Sequence, residues 1–379
     1  MTDGRAKAAA AVVHGRQKRI LEIGTGFAEA LSELCDEFVR DDDEAAGLFD
    51  VIWVNDADDV ESLYDKYVSM LTSSGRIILL PAEGADRKVA ESTLESAGAE
   101  YRVYYPYPDM NNLLYLFSDS RMPCKSELIY GEMTGGFIIT VYSGNEHEDM
   151  SYCKMSVSRL APYRVYTDIA VRDGKMYAVK NAFDESAYGH TDIMAYSYSR
   201  LSELFSGGLM EINRAESISR GRTAFEFIEG RELFDIICCE LAENRQHGCE
   251  YIYRYAENLR ARATEHFTFT DSFYDMFGHS LKNADFYSMS YTDIDLCFDN
   301  IIVSDGKWII TDYEFCADFP VPVDFVIFRA VFYLFIKSPL EIADGLQNQI
   351  YSHLGIDKYK ETFRRMEYRF QQYICGESS

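Results

Sequence analysis

Positive charge is scarce in this chain. Lys and Arg number 37 against 62 Asp and Glu, a formal net charge of −25. A partner held by its phosphate backbone needs clustered Lys and Arg, so nucleic acid is excluded as a partner. Docking on an anionic membrane by charge alone is disfavoured as well. Patterned cysteine is missing too: the nine Cys are scattered singly, apart from Cys238-Cys239, and no CxxC spacing occurs. Such a set reads as reduced thiols and not as a zinc site or a disulfide framework. The seven histidines form no HxxxH pair, and there is no GxSxG elbow of a serine hydrolase. Long apolar runs are lacking. The richest, "VPVDFVIFRAVFYLFI", carries Asp324 and Arg329 and is shorter than a membrane span requires. The first residues show no signal-peptide h-region. The expectation is a cytoplasmic protein with no transmembrane segment.

What is present suits a globular chain of two domains. The chain has 379 residues, 47% hydrophobic and 14% aromatic, enough apolar surface for two cores. Residues 1–150 alternate strand and helix. "RILEIG", "FDVIWVN" and "GRIILLP" read as buried strands, the last after a turn at Ser73-Ser74-Gly75. "FAEALSELCDEFVR", "DVESLYDKYVSML" and "RKVAESTLESAG" read as helices, and "EYRVYYPY" and "GGFIITVYSG" as further strands. That alternation implies βαβ units and a parallel sheet. The polar run at 143–151 is the expected linker. Beyond it, "RVYTDIAVRDGKMYAVKNAF" predicts a hairpin turning at Asp173-Gly174. A long helix from Asp184, a strand pair "LMEINRAESIS" and "RTAFEFIEG", and a mostly helical remainder follow.

One stretch concentrates acid: "SYTDIDLCFDNIIVSDGKWIITDYEF", residues 290–315, holds Asp293, Asp295, Asp299, Asn300, Asp312 and Glu314 around a short apolar hairpin. Like charges so close repel unless a cation sits among them or they fan into water. The runs 301–303 and 308–310 flank an Asp-Gly turn, which predicts a tight hairpin. A hairpin returns the chain to its start, so Asn300 and Asp312 are expected side by side at the open end. Their oxygens are hard ligands suited to hydrated Mg²⁺, and Asp295, five residues before Asn300, could serve as a base.

Asp295-Leu296 with Asn300 resembles the D-L-x-x-x-N part of the protein-kinase-like catalytic loop, with Asp312 at the place of the second metal-binding Asp. "IITDYEF", with Pro320, Pro322 and Asp324 downstream, looks most like the aminoglycoside and choline phosphotransferase branch. The resemblance covers about 153–335 in order. It implies Asp295 as catalytic base, Asn300 and Asp312 as metal ligands, Lys180 of "YAVK" as the residue on the nucleotide phosphates, and "FEFIEGREL" as the hinge. Two features depart from that pattern. The family's His two residues before the catalytic Asp is Asp293 here, and "SVSRLAPYRVYTD" ahead of Lys180 has no glycine. For the helix acid that would pair with Lys180, Asp192 and Glu203 are the candidates.

"LEIGTGFAEA" resembles the first motif of class I S-adenosylmethionine-dependent methyltransferases, with Glu22, Gly24 and Gly26 in matching places and Ala28 at the third small position. Glycines at a strand-to-helix turn let backbone approach a ligand. The interval from Gly24 to Asp50 is too short for a full domain of that family, so the acid that would hold the ribose hydroxyls has no counterpart.

The expected fold class is thus α/β plus α+β: a shortened Rossmann-like methyltransferase domain over 1–150, then a bilobal protein-kinase-like domain over 151–379, with a small lobe to about 228. The order of parts looks like bacterial fusions of the two domains associated with surface polysaccharide synthesis. The implied function is Mg–ATP-dependent phosphoryl transfer to a hydroxyl of a small molecule or glycan, with other glycan-synthesis enzymes as possible partners. Three alternatives stay open: an inactive scaffold, an S-adenosylmethionine (SAM)-dependent methyltransferase with a structural kinase-like half, and a glycosyltransferase DxD site at Asp293-Ile294-Asp295.

Overall fold

A computed structural model describes residues 4–13, 16–40, 45–82, 84–110, 112–118, 136–144, 149–156, 158–172, 174–278, 281, 285–338 and 345–376. The fold is mixed α/β with a large sheet. The chain divides into two compact units, residues 1–157 with 164–188, and residues 158–163 with 189–379.

The first unit contains helices α1 (Gly4–Val13), α2 (Ala28–Ser32), α3 (Val60–Tyr67) and α4 (Arg87–Ser96). Its strands are β1 (Gln17–Ile23), β2 (Cys35–Arg40), β3 (Phe49–Ala57), β4 (Leu71–Pro81), β5 (Glu100–Tyr107), β6 (Tyr115–Ser118), β7 (Ile138–Tyr142), β8 (Asp149–Met155), β9 (Val165–Arg172) and β10 (Lys175–Ala182). They join in the order β2-β1-β3-β4-β7-β5-β6-β8-β9-β10. The β2, β1, β3 and β4 strands are parallel, while β7 runs antiparallel between β4 and β5. Strands buried on both faces need apolar residues at successive positions, which is why β1, β3 and β4 read as continuous apolar runs. Ile20, Val51, Trp53 and Ile78 pack with α1 and α2 in one core. Their neighbours Leu21, Ile52, Val54 and Ile77 pack with Val60 of α3 and Leu94 of α4 in the other.

Three expectations need correction. Residues 27–40 do not form one helix: α2 ends at Ser32, and Cys35–Arg40 pair in parallel with β1, Gln17 opposite Cys35 and Glu22 opposite Arg40. The ladder satisfies the open edge of β1, a gain from distant residues that helical periodicity does not register. The turn at Ser73-Ser74-Gly75 lies inside β4 as an irregularity between Phe49–Leu71 and Val51–Arg76 pairs. Gly75 is required there because a Cβ would stand 2.9 Å from the Phe49 carbonyl oxygen. Third, the expected boundary near residue 150 falls in β8, which pairs with β6 and β9 and continues the first unit's sheet. Of the expected linker, residues 145–148 lie outside the described residues, as does Asp173 of the β9–β10 turn.

Beyond the segment 158–163, the second unit holds α5 (Tyr188–Leu204) from its second residue on, then β11 (Met210–Ile212), β12 (Ala215–Ser219), β13 (Arg222–Glu226) and β14 (Arg231–Glu232). Helices α6 (Leu233–Glu243) and α7 (Arg245–Arg260) follow, then β15 (Glu265–His266), α8 (Asp271–Phe277), β16 (Tyr287–Ser288) and β17 (Thr292–Asp293). The chain continues through β18 (Ile301–Ser304), β19 (Lys307–Ile310), β20 (Cys316–Ala317), α9 (Val323–Lys337), α10 (Leu346–His353) and α11 (Lys360–Cys375). The segment read as one strand, "LMEINRAESIS", is two: β11 pairs in parallel with β19, and only β12 pairs with β13.

Helix α9 is the apolar run of the sequence. Val323, Phe325, Val326, Ile327, Phe328, Ala330, Val331 and Leu334 are all buried, as a helix apolar on every side must be in a globular core. No described helix is long and apolar enough to cross a membrane.

Candidate active site

The acidic stretch folds as two short ladders. In the first, β18 and β19 form a hairpin with Ile301 opposite Ile310 and Ser304 opposite Lys307. Asp305 (φ 48°) and Gly306 (φ 76°) turn it, both left-handed, as a tight two-residue hairpin requires. In the second, Asp293 of β17 lies opposite Cys316 of β20, and Ile294 N donates to Phe315 O at 2.8 Å. The two ladders bring the loop 294–300 and the segment 311–315 together.

Asp295, Asn300 and Asp312 meet in this frame. Asn300 Nδ2 donates to the Asp295 carbonyl oxygen at 2.8 Å and lies 3.4 Å from its Oδ2. Thr311 N and Oγ1 both donate to Asn300 O, at 2.8 and 3.1 Å, which sets Asp312 next to Asn300 at the hairpin's open end. Asp312 has φ 52°, a left-handed conformation uncommon outside glycine that Asp tolerates better than most residues.

Cations that the motif reading did not anticipate answer the charge question. Arg329, buried in α9, places Nη1 at 3.2 Å from Asp295 Oδ1 and also bonds the Ile294 carbonyl. Its Nε bonds Glu367 of α11 at 2.5 Å. Lys337 Nζ holds Asp299 at 2.5 Å. Arg159 grips Glu314 with both terminal nitrogens, at 2.9 and 2.5 Å. Asp293 is handled differently. It is fully buried, and burial, then the Asp295 charge, pushes its carboxyl far up towards the neutral form. Its Oδ1 accepts from Asp295 N at 3.1 Å. The acids crowd the hairpin because three have their own cation and one tends to hold its proton.

The Asp295 carboxyl is pushed up to about 6. Burial is the main cause; Arg329 opposes it, and the charges of Asp312 and Glu314 add to it. With 29% of its side chain exposed, Asp295 opens on a cavity of about 230 Å³. Arg159, Arg329, Lys337, Phe315, Tyr333 and Phe370 are among its other lining residues.

The donor set suits magnesium. The Asn300 amide nitrogen is spent on Asp295, which leaves its side-chain oxygen for a cation beside the Asp312 carboxylate. Among the described residues no group of three or more His, Cys, Asp or Glu could hold a metal. Magnesium asks for less: it keeps waters and is bound through one or two protein oxygens plus substrate phosphates.

The other expected site residues lie apart from this group in the sequence and in the division of the chain. Lys180 is a buried residue of β10 in the first unit. Of the two acids considered as its partner, Asp192 in α5 accepts from Gly221 N at 2.8 Å.

Glu22, Gly24 and Gly26 do come together at the end of β1. Glu22 is fully buried and its Oε1 accepts from Phe27 N at 2.7 Å and Asn55 Nδ2 at 3.0 Å, while Oε2 lies 3.7 Å from Arg40 Nε. The carboxylate therefore ties the turn to β1 and β3. Gly24 (φ 82°) has Asn55 Cβ only 3.1 Å from where its own Cβ would stand. Gly24→Ala is expected to cost about 1–2 kcal/mol of stability through the left-handed backbone. Urea unfolding checks this, and a change under about 0.3 kcal/mol would contradict the geometry.

No protein-family model and no curated protein matches the chain. Solved structures similar to it include a macrolide 2'-phosphotransferase from Brachybacterium faecium, as the apoenzyme. That match has 11% identity and a TM-score of 0.30, covering 58% of this chain and 86% of that one. Another is the aminoglycoside phosphotransferase APH(2'')-Ib with ADP bound, 12% identical with a TM-score of 0.30 over 54% and 88%. A third is the streptomycin-ATP-APH(2'')-IIa ternary complex, 11% identical with a TM-score of 0.32 over 56% and 86%. Likeness at these scores carries no argument, so function rests on the geometry of the site.

Proposed function

We propose that the second unit is a Mg–ATP-dependent phosphotransferase acting on a hydroxyl of a small molecule or glycan. The observation that carries it is the Asp295–Asn300–Asp312 group, a base and two hard oxygen ligands held by one hairpin. Asn300 and Asp312 would hold the magnesium ion, whose chemistry when bound is to neutralise charge on the transferring phosphates. Asp295 takes the proton from the acceptor hydroxyl, and a base near pKa 6 is ionised for that task at neutral pH. Arg329 and the Asn300 amide fix the carboxylate's orientation, so little reorganisation is needed when the acceptor arrives.

The cavity beside Asp295 bears on the acceptor. Arg159, Arg329 and Lys337 line it beside Asp295, and each is held by a carboxylate, Glu314, Glu367 and Asp299 in turn. The acceptor is a small hydroxyl compound seated beside Phe315, Tyr333 and Phe370, which also line the cavity.

The test is phosphoryl transfer from ATP to a panel of neutral polyols, sugars, sugar phosphates and aminoglycosides. Turnover on any of these acceptors, abolished in Asp312→Ala with the fold intact, supports the proposal. Unchanged turnover in that variant sinks it.

The first unit supports a second reading, a methyltransferase-like module. Its parallel strands, the reversed β7 between β4 and β5, and the glycine turn after β1 favour it. The Glu22 carboxylate is engaged by Phe27, Asn55 and Arg40, which fits a structural role for that turn. A calorimetric titration with S-adenosylmethionine decides: heat of binding would assign it a cofactor, and none would leave it a scaffold.

A further inference from the structure

A backbone cradle over nucleotide phosphates is built from glycine, and residues 156–168 contain none. The structure places a guanidinium in that stretch instead. Arg159, in the short segment 158–163 that belongs to the second unit, reaches Glu314, two residues beyond Asp312. Its two terminal nitrogens take the two carboxylate oxygens in a fork, Nη1 to Oε2 at 2.9 Å and Nη2 to Oε1 at 2.5 Å. The guanidinium stands over the Phe315 ring, 5.1 Å from its centroid, and lines the same cavity as Asp295. Burial works against its charge, but the carboxylates of Glu314, then Asp312 and Asp295, outweigh that and raise its pKa. Arg159 is thus a permanent cation in the field of the proposed metal ligand and the proposed base. A planar fork that fits a carboxylate also fits two oxygens of a phosphate.

We infer that Arg159 binds the transferable terminal phosphate, taking the place of a glycine-rich cradle, and that Glu314 holds the guanidinium in position until the triphosphate arrives. The inference rests on the phosphotransferase reading of the Asp295–Asn300–Asp312 group. Glu314 Oε2 also lies 3.4 Å from His190 Nε2. A purely structural Arg159–Glu314 pair would treat di- and triphosphate nucleotides alike, and this separates the two roles.

The experiment is a fluorescence titration of the full chain, with Mg²⁺, using labelled ADP and a labelled non-hydrolysable ATP analogue. Arg159→Ala is expected to weaken the triphosphate by about tenfold or more, the size of a lost charge-assisted hydrogen bond, and to leave ADP within about twofold. Arg159→Lys, which keeps the charge without the fork and is the gentler change should the alanine variant fail to fold, should show the same selective loss to a smaller degree. Glu314→Gln, which loosens the grip on Arg159, should bind the triphosphate at least as tightly as the native chain. Equal weakening of both nucleotides, or no weakening of either, in a folded Arg159 variant overturns the inference while leaving the phosphotransferase reading standing. Failure of the native protein to bind either nucleotide overturns that reading and the inference with it.

Discussion

Asp295→Asn is expected to lower phosphoryl transfer by about 10²–10⁴-fold, the usual contribution of a positioned general base. The substitution keeps the shape of the side chain and an oxygen for Arg329 Nη1, so the variant should fold. The same group is expected to set the acid limb of the rate profile. A base must be ionised to act, and this carboxyl is pushed up to about 6, chiefly by burial. Turnover should therefore climb as pH rises through 6 and level off above 7. Stability carries the opposite sign. The folded-state value lies above that of an unfolded Asp, about 3.9, so the folded state binds this proton more tightly. Stability from the group is fully present below the unfolded value and is lost as pH rises through about 6. Over that window the Asn variant should gain on the native protein. Steady-state rates and urea melts between pH 4 and 8 check both. A folded variant with more than a tenth of native turnover would contradict the assignment.

The largest stability effect is expected from Arg329→Met, a loss of about 3–5 kcal/mol. The guanidinium is almost fully buried and bridges Asp295 to Glu367, itself buried. Burial alone would push the Glu367 carboxyl up. Arg329, with hydrogen bonds from Tyr333 at 2.6 Å and Gln371 at 2.8 Å, holds it below its ordinary value instead. A depressed carboxyl contributes stability above its unfolded value and loses it as pH falls through the folded one. Without Arg329 that contribution reverses, because a buried charge then stands without its cation. Adding Glu367→Gln to Arg329→Met should recover part of the loss, since an amide needs no counter-charge. Denaturant unfolding of the single and double variants measures this. A loss below about 1 kcal/mol in Arg329→Met would show that the pair does not organise the core around α9.

Much of this architecture is legible in the residues, for identifiable reasons. The strands β1, β3 and β4 announce themselves because burial on both faces demands unbroken apolar runs. The β18–β19 hairpin is equally plain: Asp305-Gly306 is among the strongest local signals of a reversing chain, and it fixes where Asn300 and Asp312 stand. What the sequence hides is long-range pairing. Residues 33–40 alternate weakly enough to pass for helix, and only the open edge of β1 makes them a strand. Met210–Ile212 adjoins β12 in the chain yet joins β19, a choice made by burial in another part of the unit. The site divides the same way. Asp295, Asn300 and Asp312 lie in one continuous stretch, so their spacing could be read. The balancing cations come from elsewhere: Arg159 from the segment ahead of β9, and Arg329 and Lys337 from α9. No spacing rule links those positions to the acids they face. The one visible hint is Arg329 itself, a full charge inside an otherwise apolar helix, which burial permits only with a partner.

The measurement that bears most directly on the central claim is thermal unfolding of the native chain and of Asp312→Ala, each with and without Mg–ATP. A ligand at a hundred times its dissociation constant stabilises by about 2.7 kcal/mol, which for a unit of this size is a rise of roughly 2–4 °C per kcal/mol. The account predicts that rise in the native protein, its dependence on Mg²⁺, and its disappearance in Asp312→Ala. Identical melts with and without Mg–ATP in the native protein would contradict it, and would leave the acidic hairpin as a charge-balanced structural element with no nucleotide to serve.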